Sequence, residues 1–144
     1  MSAIAGAIQS RSNSVGVDPA AFIDPELTTE IIRSRTYMDG RWLEATRIAE
    51  CPDGVNKQLL PVNMSCFTAR VVTTVAPKTH VASHSHDGAV LRYIASGSLN
   101  LNNVAYEAGD WILVPPGAAY EIDTEQGYTA VVDYKSCIEC SNSF

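Results

Sequence analysis

Basic residues are scarce in this chain. It has 10 Lys and Arg residues against 16 Asp and Glu residues, which gives a formal net charge of -6 at pH 7. A surface with this balance has no electrostatic field that attracts phosphate groups or anionic lipid headgroups. The composition therefore argues against a nucleic-acid-binding protein and against one that binds a membrane surface, and we expect neither kind of partner.

Long apolar runs are also missing. No stretch approaches the length that crosses a bilayer, and residues 1–11 have neither the basic start nor the continuous apolar stretch of a secretory signal. We therefore expect a cytoplasmic protein.

Cysteine is sparse, with four residues in the whole chain: Cys51, Cys66, Cys137 and Cys140. Without a secretory segment, we expect these cysteines to be reduced thiols. Cys137 and Cys140 have the C-x-x-C spacing of zinc and redox sites, but no second C-x-x-C pair accompanies them. We interpret them as free thiols in a C-terminal tail over residues 137–144.

The length of 144 residues, 46% of them hydrophobic, suits one domain with a single core. Residues 1–35 are predicted to form a flexible N-terminal arm, rich in Ser, Ala, Gly and Asn, followed by a short helix. Asp24-Pro25-Glu26 predicts the start of that helix, because Asp is a favoured cap and Pro is favoured at the first helical position. We expect the helix to run through about Ile32 or Ser34.

Short runs of β-branched and aromatic residues, separated by Gly, Pro, Asn and Asp, fill residues 36–136. Many short strands with turns between them predict an all-β domain, a sandwich or a barrel. Asn102-Asn103 lies between alternating apolar and polar residues and predicts a tight hairpin. The predicted strands cover residues 41–48, 57–60, 66–75, 89–96, 99–101, 104–106, 111–114, 119–122 and 128–134.

Two histidines, His84 and His86, are the most informative residues of the sequence. Residues two apart in a strand project to the same face, so both imidazoles would be available to one metal ion. The later segment 109–120, with the sequence GDWILVPPGAAY, supplies a turn and a strand that would return a third side chain to the same cavity.

These two segments resemble the paired motifs of the cupin superfamily, the RmlC-like jelly rolls, over about residues 66–134. The pattern H-x-H-x-G-x-V-x-x-Y-x-x-x-G, which begins at His84, is most similar to a subgroup with 2,4'-dihydroxyacetophenone dioxygenase and the cupin domain of ChrR-type anti-sigma factors. The resemblance implies a single-domain double-stranded β-helix with a metal site on His84 and His86. Val90 stands where many cupins carry a ligating Glu, so a His-Glu site is excluded unless an acid arrives from elsewhere.

Tyr120 stands where the second cupin motif usually carries its third His. Three interpretations of Tyr120 remain open: it ligates a metal as a phenolate, it stays unligated as a general acid or hydrogen-bond donor, or it packs in the core.

His80 lies four residues before His84, and its position leaves two alternatives. In an extended chain it joins His84 and His86 in a local set of three ligands. The turn signal in Pro77-Lys78-Thr79 instead favours a loop histidine at the mouth of the cavity.

The direction of Arg92 depends on strand register. If Val90 faces inward, Arg92 does too, and an inward guanidinium would clamp a carboxylate. In the opposite register Leu91 and Tyr93 face inward, and Arg92 faces solvent.

The leading hypothesis is a small metal-dependent cupin enzyme that acts on a small organic substrate, most simply a dioxygenase that cleaves a carbon–carbon bond next to a carbonyl. His84, His86 and His80 are the candidate ligands for a divalent metal ion, with iron favoured over nickel, zinc or copper, and we expect no organic cofactor. Tyr120 and Arg92 are the candidate catalytic residues.

Two other classes of function stay open, because the fold supports many reactions. One is a metal-dependent isomerase, cyclase or lyase, and the other is a non-catalytic cupin that senses a small molecule or a metal. A sensor would normally be joined to a sigma-binding or DNA-binding element, and the sequence has no basic helical domain of that kind. We also expect a homodimer or a higher homo-oligomer.

Overall fold

The structure is a computed structural model that describes residues 17–135. The start of the predicted N-terminal arm and the Cys137 and Cys140 pair lie outside the described residues, and the predicted boundaries between arm, barrel and tail stay predictions. Among residues 17–135, none of the helices has the length and apolar character needed to span a bilayer.

The described part of the chain is mostly β-structure. Its helical elements are three 3-10 segments, Pro19–Ala21, Pro25–Leu27 and Tyr37–Gly40, and one short α-helix, α1 (Trp42–Ala45). The strands are β1 (Ile32–Arg33), β2 (Arg47–Ile48), β3 (Lys57–Gln58), β4 (Ala69–Val75), β5 (Thr79–His84), β6 (Val90–Leu101), β7 (Val104–Glu107), β8 (Trp111–Val114), β9 (Tyr120–Thr124) and β10 (Tyr128–Tyr134).

The long strand β6 joins two groups of antiparallel strands. Its first half pairs with β8 and β10, and the order of that group is β1-β8-β6-β10-β4. Its second half pairs with β7 and β9, and β9 pairs in turn with β5. The expected all-β barrel with antiparallel pairing is confirmed.

The inner faces of the two groups enclose the barrel core. Alternate residues of each strand point into it, as the period of two for a strand requires. Its buried members are Val90, Ile94, Leu99, Leu101, Tyr106, Ile112, Val114, Tyr120, Ile122, Tyr128, Ala130, Val132 and Tyr134.

The N-terminal segment packs against the outer face of β6 and β8. Trp42 and Trp111 are buried there with ring centroids 5.4 Å apart, edge to face, and Leu91 and Leu113 complete the contact from the strands. Ser34 ties this segment to the barrel, because its hydroxyl donates to Asp110 Oδ1 and accepts from the backbone N–H of Trp111. Both sides of β6 and β8 are therefore covered near the middle of the molecule.

Two predicted elements differ from the structure. The short helix is present but ends at Leu27, because Thr28 closes a single 3-10 turn onto the carbonyl of Pro25, and the chain then extends so that Ile32 pairs with Leu113. The strand predicted over residues 41–48 is wrong in its first half, which forms α1. A helical turn lets Trp42 pack on Trp111 and donate its indole N–H to the Ser34 carbonyl, and this tertiary contact outweighs the local β propensity.

Two tight turns follow the expected chemistry. Asn102 and Asn103 have φ angles of 50° and 65° and close the hairpin between β6 and β7, as predicted. Gly97 has φ +81° where β6 passes from one group of strands to the other. A Cβ at Gly97 would lie 2.2 Å from the carbonyl oxygen of Gly127, so this glycine is required for close approach as well as for its backbone angle.

We predict that Gly97→Ala destabilises the protein more than Gly109→Ala does. Gly109 has a similar φ of +95°, but a Cβ there would meet no atom within 4 Å. Both variants carry the left-handed strain, about 1–2 kcal/mol, and only Gly97→Ala adds a clash with the backbone. Urea unfolding of the two variants measures the difference, and equal free energies of unfolding would contradict this account of Gly97.

Candidate functional site

A bulge in β5 decides which of its side chains face the barrel core. Val81 pairs with Ile122 of β9, and His84 pairs with Tyr120, so one extra residue of β5 lies between these two pairs. An extra residue reverses the alternation of faces beyond it. His84 therefore lies on the inner side with Tyr120, whereas His80, before the bulge, lies on the outer side.

His84 and His86 are brought together beside Tyr120, as the sequence predicts. His84 is the last residue of β5, and His86 lies two residues after it, beyond the end of the strand. The imidazole centroids are 5.2 Å apart, and the Tyr120 ring lies 4.6 Å from His84 and 6.0 Å from His86. Both histidines are partly exposed, whereas Tyr120 is only 1% exposed.

Each imidazole has a defined polar contact. Nδ1 of His84 donates to the carbonyl of Ala82 at 2.8 Å, which leaves Nε2 as the nitrogen with a free lone pair in the neutral ring. Nε2 of His86 lies 3.2 Å from the hydroxyl of Tyr120. Burial, together with the nearby His84 and Arg92, lowers the pKa of His86 below its ordinary 6.5, so His86 is neutral near pH 7.

Arg92 faces inward from β6, together with Val90 and Ile94, while Leu91 packs on the outer face. Its side chain is only 4% exposed, and its guanidinium carbon lies 5.3 Å from the centre of the Tyr120 ring. Its Nε and Nη1 atoms have no hydrogen-bond partner among residues 17–135. Of the two registers that the sequence allowed, the structure has the one that buries Arg92.

Sequence reasoning missed two tyrosines that line the same interior. Tyr128 and Tyr134 point inward from β10, and the ring of Tyr134 lies 5.5 Å from that of His86. Burial raises the pKa of Tyr128, and it raises the pKa of Tyr134 to about 12. The signal was available, because Tyr128 and Tyr134 are an even number of residues apart in one predicted strand and must share a face.

His80 does not join the other two histidines. It lies in β5 and not in a loop, and its side chain is 54% exposed on the outer side. Its Nδ1 is 2.6 Å from Oδ1 of Asp123. The hydrogen bond to this carboxylate and the negative charge of the carboxylate both raise the pKa of His80. The proposed set of three histidines is therefore wrong, because the bulge separates the faces of His80 and His84.

The donors that converge inside the barrel are two imidazoles and one phenol. No group of three or more His, Cys, Asp or Glu side chains within residues 17–135 is arranged to hold a metal ion. The 3.2 Å between His86 Nε2 and the Tyr120 oxygen nevertheless suits two atoms bound to one ion, since neighbouring ligands at about 2.1 Å from a metal are about 3.0–3.4 Å apart. The spacing of His86 and Tyr120 and the donor chemistry of the two imidazoles are thus compatible with a divalent metal.

A groove of about 620 Å³ lies on the other side of the sheet. It is bordered by Trp42, Leu91, Tyr93, Arg70 and Asp133, among others, and its lining includes none of the inward-facing polar residues. Arg70 and Asp133 pair with each other at 2.7 Å, so the charges in this groove are already matched. The chemistry that the sequence predicted is inside the barrel.

Three solved structures with similar chains are distant from this protein. A cupin-like protein of unknown function from Ralstonia eutropha has 20% identity and a TM-score of 0.44, covering 47% of this chain and 50% of its own. The complex of SigE with the anti-sigma ChrR from Rhodobacter sphaeroides has 15% identity and a TM-score of 0.41, with 46% and 39% covered. An RmlC-like cupin from Shewanella frigidimarina has 20% identity and a TM-score of 0.47, with 68% and 91% covered.

The first two of these matches span half or less of the other chain, so nothing about the activity or partners of those whole proteins follows from them. No curated protein matches this chain. The family model described as the ChrR Cupin-like domain matches residues 40–137, which include strands β2 to β10 and the site within the barrel. The family resemblance inferred from the segment with His84 and His86 and from segment 109–120 is confirmed. This chain belongs to the ChrR cupin-like domain family.

Proposed function

We propose that this cupin is a metal-dependent enzyme that acts on a small organic molecule inside its barrel, and that it is a dioxygenase that cleaves a carbon–carbon bond next to a carbonyl. His84, His86 and the phenol oxygen of Tyr120 hold one divalent metal ion, with iron favoured and nickel, zinc or copper as alternatives. The homo-oligomer and the cytoplasmic location expected from the sequence stay predictions, as does the absence of nucleic-acid and membrane partners.

One observation carries this proposal: two imidazoles and a phenol converge at the inner side of β5 and β9, beside a buried arginine. A purely structural role does not explain the arginine, because its buried Nε and Nη1 atoms have no hydrogen-bond partner among residues 17–135, and such groups are costly, about 1–3 kcal/mol each. A divalent metal on these donors supplies a Lewis acid and, in the case of iron, a redox centre for dioxygen.

The protein's own groups fix the substrate and exclude water. Tyr134, with its pKa raised to about 12, stays a neutral phenol near pH 7, and a neutral phenol can donate a hydrogen bond. The guanidinium of Arg92 attracts negative charge on the substrate, and the apolar walls formed by Ile94, Val114 and Ile122 keep bulk water away from the reacting atoms.

A non-catalytic sensor is the second candidate, and the family's link to the anti-sigma ChrR favours it. A sensor needs the same metal and ligand contacts, but it needs no oxygen-dependent turnover. Oxygen consumption by iron-loaded protein separates the two, with a panel of hydroxylated aryl ketones and 1,3-diketones and of the same compounds bearing a carboxylate. Ligand binding without oxygen uptake across such a panel would favour the sensor.

We predict that His84→Ala and His86→Ala each lose the metal, whereas His80→Ala keeps it. His80 is the matched control, because it is an imidazole of the same strand that the bulge leaves outside the barrel. The measurement is elemental analysis of protein purified without nickel affinity and then loaded with Fe(II), Ni(II), Zn(II) or Cu(II). Bound metal should also stabilise wild-type protein and so raise its melting temperature. At a free metal concentration 100 times its Kd, the free energy of unfolding should rise by about 2.7 kcal/mol.

Two results would contradict the metal site. One is wild-type protein that takes up none of the four metals and melts at the same temperature with and without a chelator. The other is loss of metal in His80→Ala to the same extent as in His84→Ala.

We predict that residue 120 sets metal affinity in the order His, then Tyr, then Phe. Tyr120→His completes three imidazoles and tightens binding, while Tyr120→Phe keeps the ring in the core and removes only the donor oxygen. The ferric form of wild-type protein should show a visible phenolate charge-transfer band that Tyr120→Phe lacks. Unchanged metal affinity in Tyr120→Phe would exclude ligation, and a loss of turnover of roughly two to four orders of magnitude would then mark Tyr120 as a general acid.

A further inference from the structure

We propose that the barrel binds its small-molecule ligand through a carboxylate, which pairs with the guanidinium of Arg92. This inference rests on the proposed function in one respect, since it places the ligand in the same interior as His84, His86 and Tyr120. It goes further in naming the chemical class of the ligand as a small carboxylic acid with one negative charge at the arginine.

Arg92 has no counter-charge among the described residues, although it forms a side-chain hydrogen bond with Tyr120. The exposed arginines Arg35, Arg47 and Arg70 each pair with a carboxylate at 2.7–2.9 Å. Arg92 is the only basic side chain that is buried in the described part of the chain, and within residues 17–135 no carboxylate pairs with it. A buried charge without a counter-charge is costly, and a site that binds an anion recovers that cost on binding.

The groups around Arg92 can donate hydrogen bonds. The ionisable groups that act on it are the phenols of Tyr120, Tyr128 and Tyr134. Tyr128 and Tyr134 are buried and point inward from β10, and Tyr120 forms a side-chain hydrogen bond with Arg92. Guanidinium and phenol groups thus offer N–H and O–H donors, and the ligand that matches a set of donors is one with acceptor oxygens.

The charge and the planar shape of the Arg92 guanidinium decide which anion fits. One guanidinium balances one negative charge, and its planar N–H groups match the two oxygens of a carboxylate. A phosphate dianion would need further basic groups, and the neighbours of Arg92 across the strands are the apolar Val132 and Ile112. The geometry therefore points to a carboxylate with a carbon skeleton that packs against apolar walls.

The test is a titration of chelated, metal-free protein with formate, acetate, propionate and benzoate, followed by melting temperature and by calorimetry. Acetamide and benzamide are neutral analogues of the same shape, and chloride at equal ionic strength controls for salt. We expect a saturable rise in melting temperature with at least one carboxylate and none with the amides or with chloride.

Two variants assign that effect to Arg92. Arg92→Met should weaken carboxylate binding at least about 30-fold and should melt at a higher temperature than wild type without ligand, because it removes an unpaired buried charge. Arg70→Met, an arginine on the outer face, should keep the wild-type response. Arg92→Lys retains a charge but not the planar pair of donors, and it should bind carboxylate with intermediate affinity.

Three outcomes would overturn the proposal. The first is that wild-type protein shows no saturable response to any of the carboxylates, and the second is that Arg92→Met responds equally. The third is that ligand-free Arg92→Met melts below wild type, which would make Arg92 a structural partner of Tyr120. Because the titration is done without metal, it can succeed when the metal site fails. The two proposals therefore fail separately.

Discussion

Side chains alternate across a β-strand, and one extra residue in β5 reverses that alternation between Val81 and His84. Without it, His84 would share the outer face with His80, beside the carboxylates of β9, and would lie away from Tyr120. With it, His84 turns inward while His80 stays with Asp123. The rest of the site is fixed by strands of the core, so the position of this bulge decides whether the imidazoles reach the phenol and the guanidinium at all.

Charge is the second constraint on the interior. Arg92 is a buried cation, and a divalent metal on His84 and His86 would add positive charge a short distance away, where the low dielectric strengthens repulsion. The two are compatible only when negative charge lies between or beside them. A carboxylate on Arg92 would supply that charge, and by reciprocity metal and carboxylate would then each raise the affinity for the other. The metal and carboxylate proposals can be tested separately, but their binding energies are coupled.

The sequence predicted the main features of the site and missed its finer geometry for physical reasons. The spacing of His84 and His86 and the family resemblance at Tyr120 predicted that these three side chains would lie close together, and they do. His80 was placed in a loop because Pro77-Lys78 does form a turn, with φ +61° at Lys78, but β5 begins directly after it at Thr79. No local signal marks the bulge, since it is a property of the pairing with β9 and not of β5 alone.

Long-range packing also explains the other differences. The local sequence of residues 41–48 predicts a strand. In the structure a helical turn places Trp42 so that it packs on Trp111 and donates to the Ser34 carbonyl. Arg92 could be assigned to neither face from its own strand, because Leu91 and Val90 are both apolar. Only the N-terminal segment, which covers Leu91 from outside, makes both faces of β6 buried.

Exposure ranks the polar groups of the interior by depth. His84 and His86 are partly exposed, whereas Tyr120 and Arg92 are almost fully enclosed. A small acid that pairs with Arg92 would therefore enter carboxylate first and leave the rest of its skeleton beside Tyr120 and His86. In that orientation the reacting carbon lies a bond or more away from the carboxylate, next to the donors proposed to hold the metal. Anchoring and chemistry are then divided between Arg92 of β6 on one side and β5 with β9 on the other.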